Sequence, residues 1–134
     1  MPHLPEILDT QTIIDTPVFH IEAVNLKFSN GAVRRFERFV HYPEGVVMIV
    51  PLLDDHTLVL IREYCVGTHA YQLSLPKGKI DRDETPLLAA NRELQEEIGY
   101  AAKQLTLLRS LTNSPSYSSS QMHVVLVQDI YPSA

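Results

Sequence analysis

The sequence predicts an α+β domain, rich in strands and carrying one well-marked helix, and three observations lead there. Asn30-Gly31 separates FHIEAVNLKF from VRRFERFV. An Asn-Gly pair tolerates positive φ at both central turn positions, so it is the strongest short hairpin signal a sequence offers. VVMIVPLL at 46–53 is continuously apolar and β-branched, as a strand buried on both faces would be. TPLLAANRELQEEIG at 85–99 carries the start and stop signals of a single helix.

Taken in order, residues 1–18 hold three prolines and few periodic cues, so they read as an extended arm. The Asn-Gly hairpin follows. Tyr42-Pro43-Glu44-Gly45 interrupts the pattern and marks a boundary between an N-terminal arm and hairpin, 1–45, and a main core, 46–134. Asp54-Asp55-His56 turns the apolar strand into TLVLIREY, a second strand with Arg62-Glu63 at its polar end. A short strand at YQLSL leads into Pro76-Lys77-Gly78-Lys79. The helix runs from about Pro86 to Ile98, with Thr85 as N-cap, proline at its first position and Gly99 as its stop. TLLRSL and MHVVLVQDI are further strands, joined by the serine-rich NSPSYSSSQ.

Bulk properties exclude several functions. The chain has 134 residues, 45% apolar and 20% charged, which suits one soluble domain. A net charge of −5 without a basic run argues against nucleic acid as a partner. The one cysteine, Cys65, rules out an internal disulfide or a cysteine-built zinc site. No apolar run approaches the ~18 residues of a membrane span, and the start lacks a signal-peptide pattern, so a cytoplasmic location is expected. The six histidines lack paired metal spacing, and PKGK lacks the glycine spacing of a P-loop.

The helix poses an electrostatic problem. At 100° per residue, Leu87, Ala90, Leu94 and Ile98 share one face. Glu93 and Glu97 lie four apart, and Glu96 lies beside Glu93. Like charges at that spacing cost a few tenths of a kcal/mol per pair, and the last turn is the negative end of the helix dipole. A solvated acidic face would screen the repulsion. A hard divalent cation would turn it into attraction, and carboxylates on a rigid helix suit Mg²⁺. Arg92, four residues before Glu96, is placed to hold that carboxylate. The helix by itself leaves both readings open.

The segment GKIDRDETPLLAANRELQEEIGY, 78–100, resembles the Nudix box. Gly78, Glu84, Arg92-Glu93, Leu94, Glu96-Glu97, Ile98, Gly99 and the bulky Tyr100 all fall at its defining positions. Upstream, RFERFVHYPEGVVMIVPLLDD, LIREY and SLPKG are similar to the ADP-ribose pyrophosphatase branch of that family. The resemblance implies the Nudix fold, a mixed sheet sandwiched between helices, with the N-terminal antiparallel hairpin as an extension. It also implies Mg²⁺- or Mn²⁺-dependent hydrolysis of a diphosphate in ADP-X compounds (ADP-ribose, NADH, short diadenosine polyphosphates), with release of AMP.

Residue by residue, the resemblance makes Glu93, Glu96 and Glu97 the metal ligands, joined by the backbone carbonyl of Lys77. Arg92 and Glu84 then serve the loop–helix geometry through charge pairing, with Gly78 and Gly99 as structural members of the box. Arg62 is a candidate phosphate contact, and equally a strand-end surface arginine. Phe36 and Glu37 match an aromatic–glutamate pair that serves the nucleobase, although Phe36 equally suits core packing. Tyr117 stands near a tyrosine of diadenosine polyphosphate hydrolases, whereas Pro115 matches the ADP-ribose branch. A homodimer is implied, its N-terminal strands reaching the partner's site.

Three departures qualify this picture. Cys65 stands where many of these hydrolases place a phosphate-binding arginine. Gln72 replaces a glutamate, and Lys77 an alanine. The sequence stops at Ala134, where relatives continue through an acidic loop, a strand and a helix, so the C-terminal part of the fold is expected to be missing. The proton acceptor is then Glu93 or Glu97, or else a residue beyond Ala134. A non-catalytic Nudix-like module that binds nucleotide or metal is the alternative, and a plain structural domain is a further one.

Overall fold

The computed structural model describes residues 2–40 and 43–133. The expected boundary at Tyr42 thus lies partly outside the described residues. The chain forms two compact units: 1–41 with 113–119, and 42–112 with 120–134.

The first unit is a three-stranded antiparallel sheet of β1 (Glu6–Asp15), β2 (His20–Lys27) and β3 (Val33–Phe39), in that order. The expected hairpin between β2 and β3 forms, but through a longer turn in which only Gly31 takes positive φ, 85°, and Phe28 N–H donates to the Ala32 carbonyl at 2.8 Å. The expected arm is corrected to a strand: β1 pairs with β2 from Glu6↔Lys27 to Asp15↔His20. Pro2, Pro5 and Pro17 all lie outside Glu6–Asp15, so none removes a ladder donor. Ala23 and Val24 are the buried residues of this sheet. The 113–119 segment joins the edge strand where Phe39 N–H donates to the Tyr117 carbonyl at 2.8 Å.

The second unit is a mixed sheet with one helix among the described residues. Its strand order is β5 (Thr57–Leu58), β4 (Val46–Asp54), β10 (Gln121–Pro132) and β9 (Tyr100–Thr112), and β8 (Lys77–Lys79) also pairs with β4. The β4–β10 pairing is parallel and the others are antiparallel. β4 is not buried on both faces as its composition suggests. Val47, Ile49 and Pro51 are buried, while Val46, Met48 and Val50 between them are only partly covered. The buried side packs against helix α1 (Pro86–Ile98); the opposite side has no helix on it among the described residues.

TLVLIREY is not one strand either. Its first residues pair with β4, and after Leu60 the chain leaves that edge to form a separate hairpin of β6 (Ile61–Cys65) and β7 (Ala70–Ser74). Lys77–Lys79, assigned to no element by sequence, forms β8.

Helix α1 has the expected ends. Thr85 Oγ1 accepts the Leu88 N–H, proline occupies the first turn, and Gly99 closes the helix in the left-handed region, its N–H donating to the Gln95 carbonyl. Leu94, Ala89 and Ala90 are fully buried against Val47, Ile49, Val125 and Val127. Leu87 and Ile98 flank that core. Glu93 is buried too, although the apolar periodicity leaves it beside the packed stripe.

Candidate active site

The site grows from the junction of β8 with α1. In the β4–β8 ladder, Ile49 N–H donates to the Pro76 carbonyl at 2.9 Å, and Ile80 N–H to the Gly45 carbonyl at 3.1 Å. Val47 stands opposite Gly78. Successive residues of a strand point their polar groups to alternate edges, so the carbonyls of Lys77 and Lys79 turn away from β4. That of Lys79 accepts Arg92 Nη2 at 2.9 Å, which places the same edge against the helix. The Lys77 carbonyl, two residues earlier, opens to that side.

Gly78 is required by close approach. A Cβ built there would overlap Cγ, Cδ and Oε1 of Glu93. The glutamate lies flat on the glycine backbone, which is how a carboxylate comes to be buried beside an apolar stripe.

Arg92 organises everything around it. Its Nε donates to Glu84 Oε2 and its Nη2 to Glu84 Oε1, each at 2.8 Å, a two-pronged ion pair. Nη1 donates to Glu93 Oε1 at 3.0 Å and to Glu96 Oε2 at 3.3 Å. Asp81 Oδ2 lies 3.4 Å from Nε. Glu84 in turn accepts the Asp81 N–H at 2.9 Å, so the loop from Lys79 to Glu84 is tied to the helix through one guanidinium. This pairing holds the Glu84 carboxyl below its ordinary range, against the opposing effect of burial, and the Arg92 guanidinium further up.

Replacing Arg92 by lysine is expected to lower stability by about 1–3 kcal/mol, the scale of charge-assisted hydrogen bonds, because an ammonium cannot reproduce the planar fork. Urea unfolding of the variant in metal-free buffer tests this; a midpoint matching the wild type would show that the fork is dispensable.

Glu97 is treated differently. Burial first, and then the charges of Glu93, Glu63 and Glu96, push its carboxyl up. Among the described residues no three acidic, histidine or cysteine side chains converge closely enough to hold a metal ion. Arg92 meanwhile pairs with both Glu93 and Glu96. The donor chemistry nonetheless fits a hard cation. It offers carboxylate and carbonyl oxygens, with like charges crowded around Glu97. Glu63 belongs to the polar end of TLVLIREY, Arg62-Glu63, which by sequence could face a site, although the sequence assigns it no role. The alternation of β6 turns it to the face opposite Arg62 and Tyr64, a signal that becomes usable only once the register of β6 is known.

The remaining candidates fall in two places. Phe36, Glu37 and Tyr117 meet in the first unit, where with Ile21, Arg35 and Phe39 they line a cavity of about 370 Å³. Phe36 is half exposed rather than packed in a core. Arg62 lies exposed on β6 in the second unit.

Comparisons with known proteins agree with the fold and the box. The NUDIX domain family matches residues 43–131, and the NudE-type Nudix hydrolase N-terminal domain matches residues 5–38. ADP compounds hydrolase NudE of Escherichia coli (strain K12) is 50% identical over 128 residues, covering 96% of this chain and 68% of that protein. ADP-ribose pyrophosphatase of Bacillus subtilis (strain 168) is 27% identical over 128 residues, covering 92% of this chain and 68% of that protein. A crystal structure of ADP compounds hydrolase superimposes with a TM-score of 0.94 at 48% identity, covering all of this chain and 72% of the other. No helix among the described residues is long and apolar enough to cross a membrane. With its box folded as a loop–helix around the Arg92–Glu84 pair, and with both family matches in place, the chain belongs to the Nudix hydrolase family.

Proposed function

We propose that the chain hydrolyses the diphosphate linkage of ADP-X compounds, such as ADP-ribose, NADH and short diadenosine polyphosphates, and releases AMP with the help of Mg²⁺ or Mn²⁺. The observation that carries this reading is the set of helix carboxylates Glu93, Glu96 and Glu97 next to the β8 edge, with Glu93 and Glu96 braced by Arg92. The names of the two relatives point to ADP compounds as the substrate class.

A divalent ion bound here would neutralise diphosphate charge and acidify a water. The chain itself supplies the rest. Glu93, Glu96, Glu97 and the Lys77 carbonyl would hold the ion, and Arg92 with Glu84 fixes the loop next to that carbonyl. Either Glu93 or Glu97 would accept the proton of the attacking water. Phe36, Glu37 and Tyr117 form the nucleobase subsite, in a cavity of about 370 Å³ that is within the range of small-molecule pockets. Arg62 remains a candidate phosphate contact. A second copy of the chain completes the assembly, supported by the half-exposed apolar side chains Ile7, Leu8, Phe36 and Phe39 on the three-stranded sheet.

Assaying AMP release from ADP-ribose, NADH, diadenosine triphosphate and plain ADP, with Mg²⁺ or Mn²⁺, tests the reading. Turnover of the first three above plain ADP is expected. Silence toward all four, with metal still bound, would instead favour a binding module.

A further inference from the structure

Among the described residues, β6 and β7 pair only with each other. A two-stranded ribbon is marginal by itself in water, so the side chains on its faces matter. Alternation turns Ile61, Glu63 and Cys65 to one face, and Arg62 and Tyr64 to the other. The ladder sets Leu73 opposite Arg62 and Tyr71 opposite Tyr64. Arg62, Tyr64, Tyr71 and Leu73 therefore share one face. Tyr71 is 68% exposed and Leu73 61%, which is unusual for large apolar side chains side by side.

This face is built rather than merely uncovered. The Tyr64 and Tyr71 rings meet edge to face, with centroids 5.7 Å apart. The Tyr64 hydroxyl shares a hydrogen bond of 2.9 Å with His69 Nδ1, and the two rings stand perpendicular with centroids 5.9 Å apart. His69 closes the hairpin turn at φ 47°, in a region where glycine is the easier residue. A glycine there would relieve the backbone but leave Tyr64 unbraced. His69 thus orients Tyr64, Tyr64 orients Tyr71, and Tyr71 keeps most of its surface open.

The charge on this face has one sign. Among the described residues no ion pair or hydrogen bond engages the Arg62 guanidinium, and Glu63 is turned to the other side. Arg62 and Tyr64 are two residues apart, about 7 Å along the strand. A cation followed at that distance by an open aromatic ring complements a phosphate joined through one sugar to a planar ring. Leu73, opposite Arg62, is four residues before Lys77, so at most about 14 Å separates the Arg62 end of the ribbon from β8.

We infer that this face is the subsite for the X part of ADP-X, and that it selects X groups carrying a planar aromatic ring. Tyr71 is the stacking residue, Arg62 takes the adjoining phosphate, and Tyr64 and His69 are positioning residues. This rests on the hydrolase reading above. A nicotinamide or a second nucleobase has a flat ring to lay on Tyr71, whereas a bare sugar phosphate has none. Stacking on an aromatic side chain tolerates different bases because every base has a π-face, so one tyrosine serves more than one ring-bearing X.

The test compares kcat/KM for NADH, diadenosine triphosphate and ADP-ribose in wild type, Tyr71→Leu and Tyr71→Phe. Tyr71 is exposed, so both variants are expected to fold. Tyr71→Leu keeps apolar bulk but loses the ring. It should lower the NADH to ADP-ribose ratio, and the diadenosine triphosphate to ADP-ribose ratio, by about tenfold, within the range for one lost base–aromatic stack. The change should appear in KM, and Tyr71→Phe should keep the wild-type ratios. Sedimentation velocity should give the same particle size for all three proteins.

Unchanged ratios in Tyr71→Leu, with activity retained, would overturn the inference and leave the hydrolase reading intact. Ratios that fall equally in Tyr71→Phe would overturn it too, since the ring would not be the recognised group. An equal loss on every substrate together with a smaller particle would assign the face to a contact between copies of the chain instead. Silence of wild type toward all three substrates, with Mg²⁺ or Mn²⁺ supplied, would sink the hydrolase reading and this inference with it.

Discussion

Replacing Glu97 by glutamine is expected to lower kcat on ADP-ribose by about 10²–10⁴-fold, the range lost with a positioned acid or base, while leaving the metal-free protein at least as stable as wild type. The two halves of this outcome share one cause. The Glu97 carboxyl is pushed up by burial and by the charges of Glu93, Glu63 and Glu96, so its ionised form is a liability in the folded chain. A carboxyl raised in the folded state contributes stability below its unfolded value and loses it as pH rises through the folded value. At neutral pH the wild type carries what solvent screening leaves of that cost, since the Glu97 side chain is exposed, and glutamine removes it. The variant's advantage should therefore shrink as pH falls through the raised range and vanish below the ordinary carboxylate range near 4.5. Thermal melts from pH 4 to pH 8 in chelator, run beside the kinetic assay, measure both. A variant that is inactive and also less stable at neutral pH would mean that Glu97 is a structural residue rather than one held under strain for function.

Gly78→Ala is expected to abolish most activity through a residue it does not replace. The added methyl would occupy the space of the Glu93 carboxylate. Those atoms are the far end of a side chain, so the least costly relief is to move Glu93 rather than the strand. Overpacking of this kind costs about 1–3 kcal/mol, which a folded domain tolerates. Displacing a positioned group by about an ångström can cost 10²-fold in rate. The expected result is a folded protein with kcat/KM down at least 10²-fold and with weakened Mn²⁺ binding. Activity within a few-fold of wild type would show that Glu93 need not rest on Gly78 to act.

Both predictions depend on a part of the molecule that the sequence describes well. The box is local: Gly78 to Tyr100 is a continuous loop–helix. Its cap at Thr85, its stop at Gly99 and the Arg92–Glu84 pair come from residues within eight positions of one another. Helix ends and close side-chain pairs are decided by nearby backbone groups, so local patterns report them. The hairpin around Asn30-Gly31 was legible for the same reason.

Other features were not. The alternating β-branched residues of 6–15 signal a strand only when β2 is available to pair with them. TLVLIREY reads as one run because hydrophobic periodicity does not record where a strand changes partner. The apolar run of β4 says that it is buried but not on which side. Glu93 looks like one of three equivalent acids on a helix wheel, yet a glycine on a neighbouring strand gives it a buried seat that Glu96 and Glu97 do not share.

The sequence by itself determined the Nudix box, its helix with both caps, and the identities of the acids and of the arginine that braces them, because each depends on neighbours close along the chain. Only the tertiary structure decided which face of β6 carries Glu63, that the Lys77 carbonyl opens away from β4, and that Arg92 divides its donors among Glu84, Glu93, Glu96 and the Lys79 carbonyl. Those depend on register and on competition for hydrogen bonds between elements distant in sequence, and these are settled only when the strands have paired.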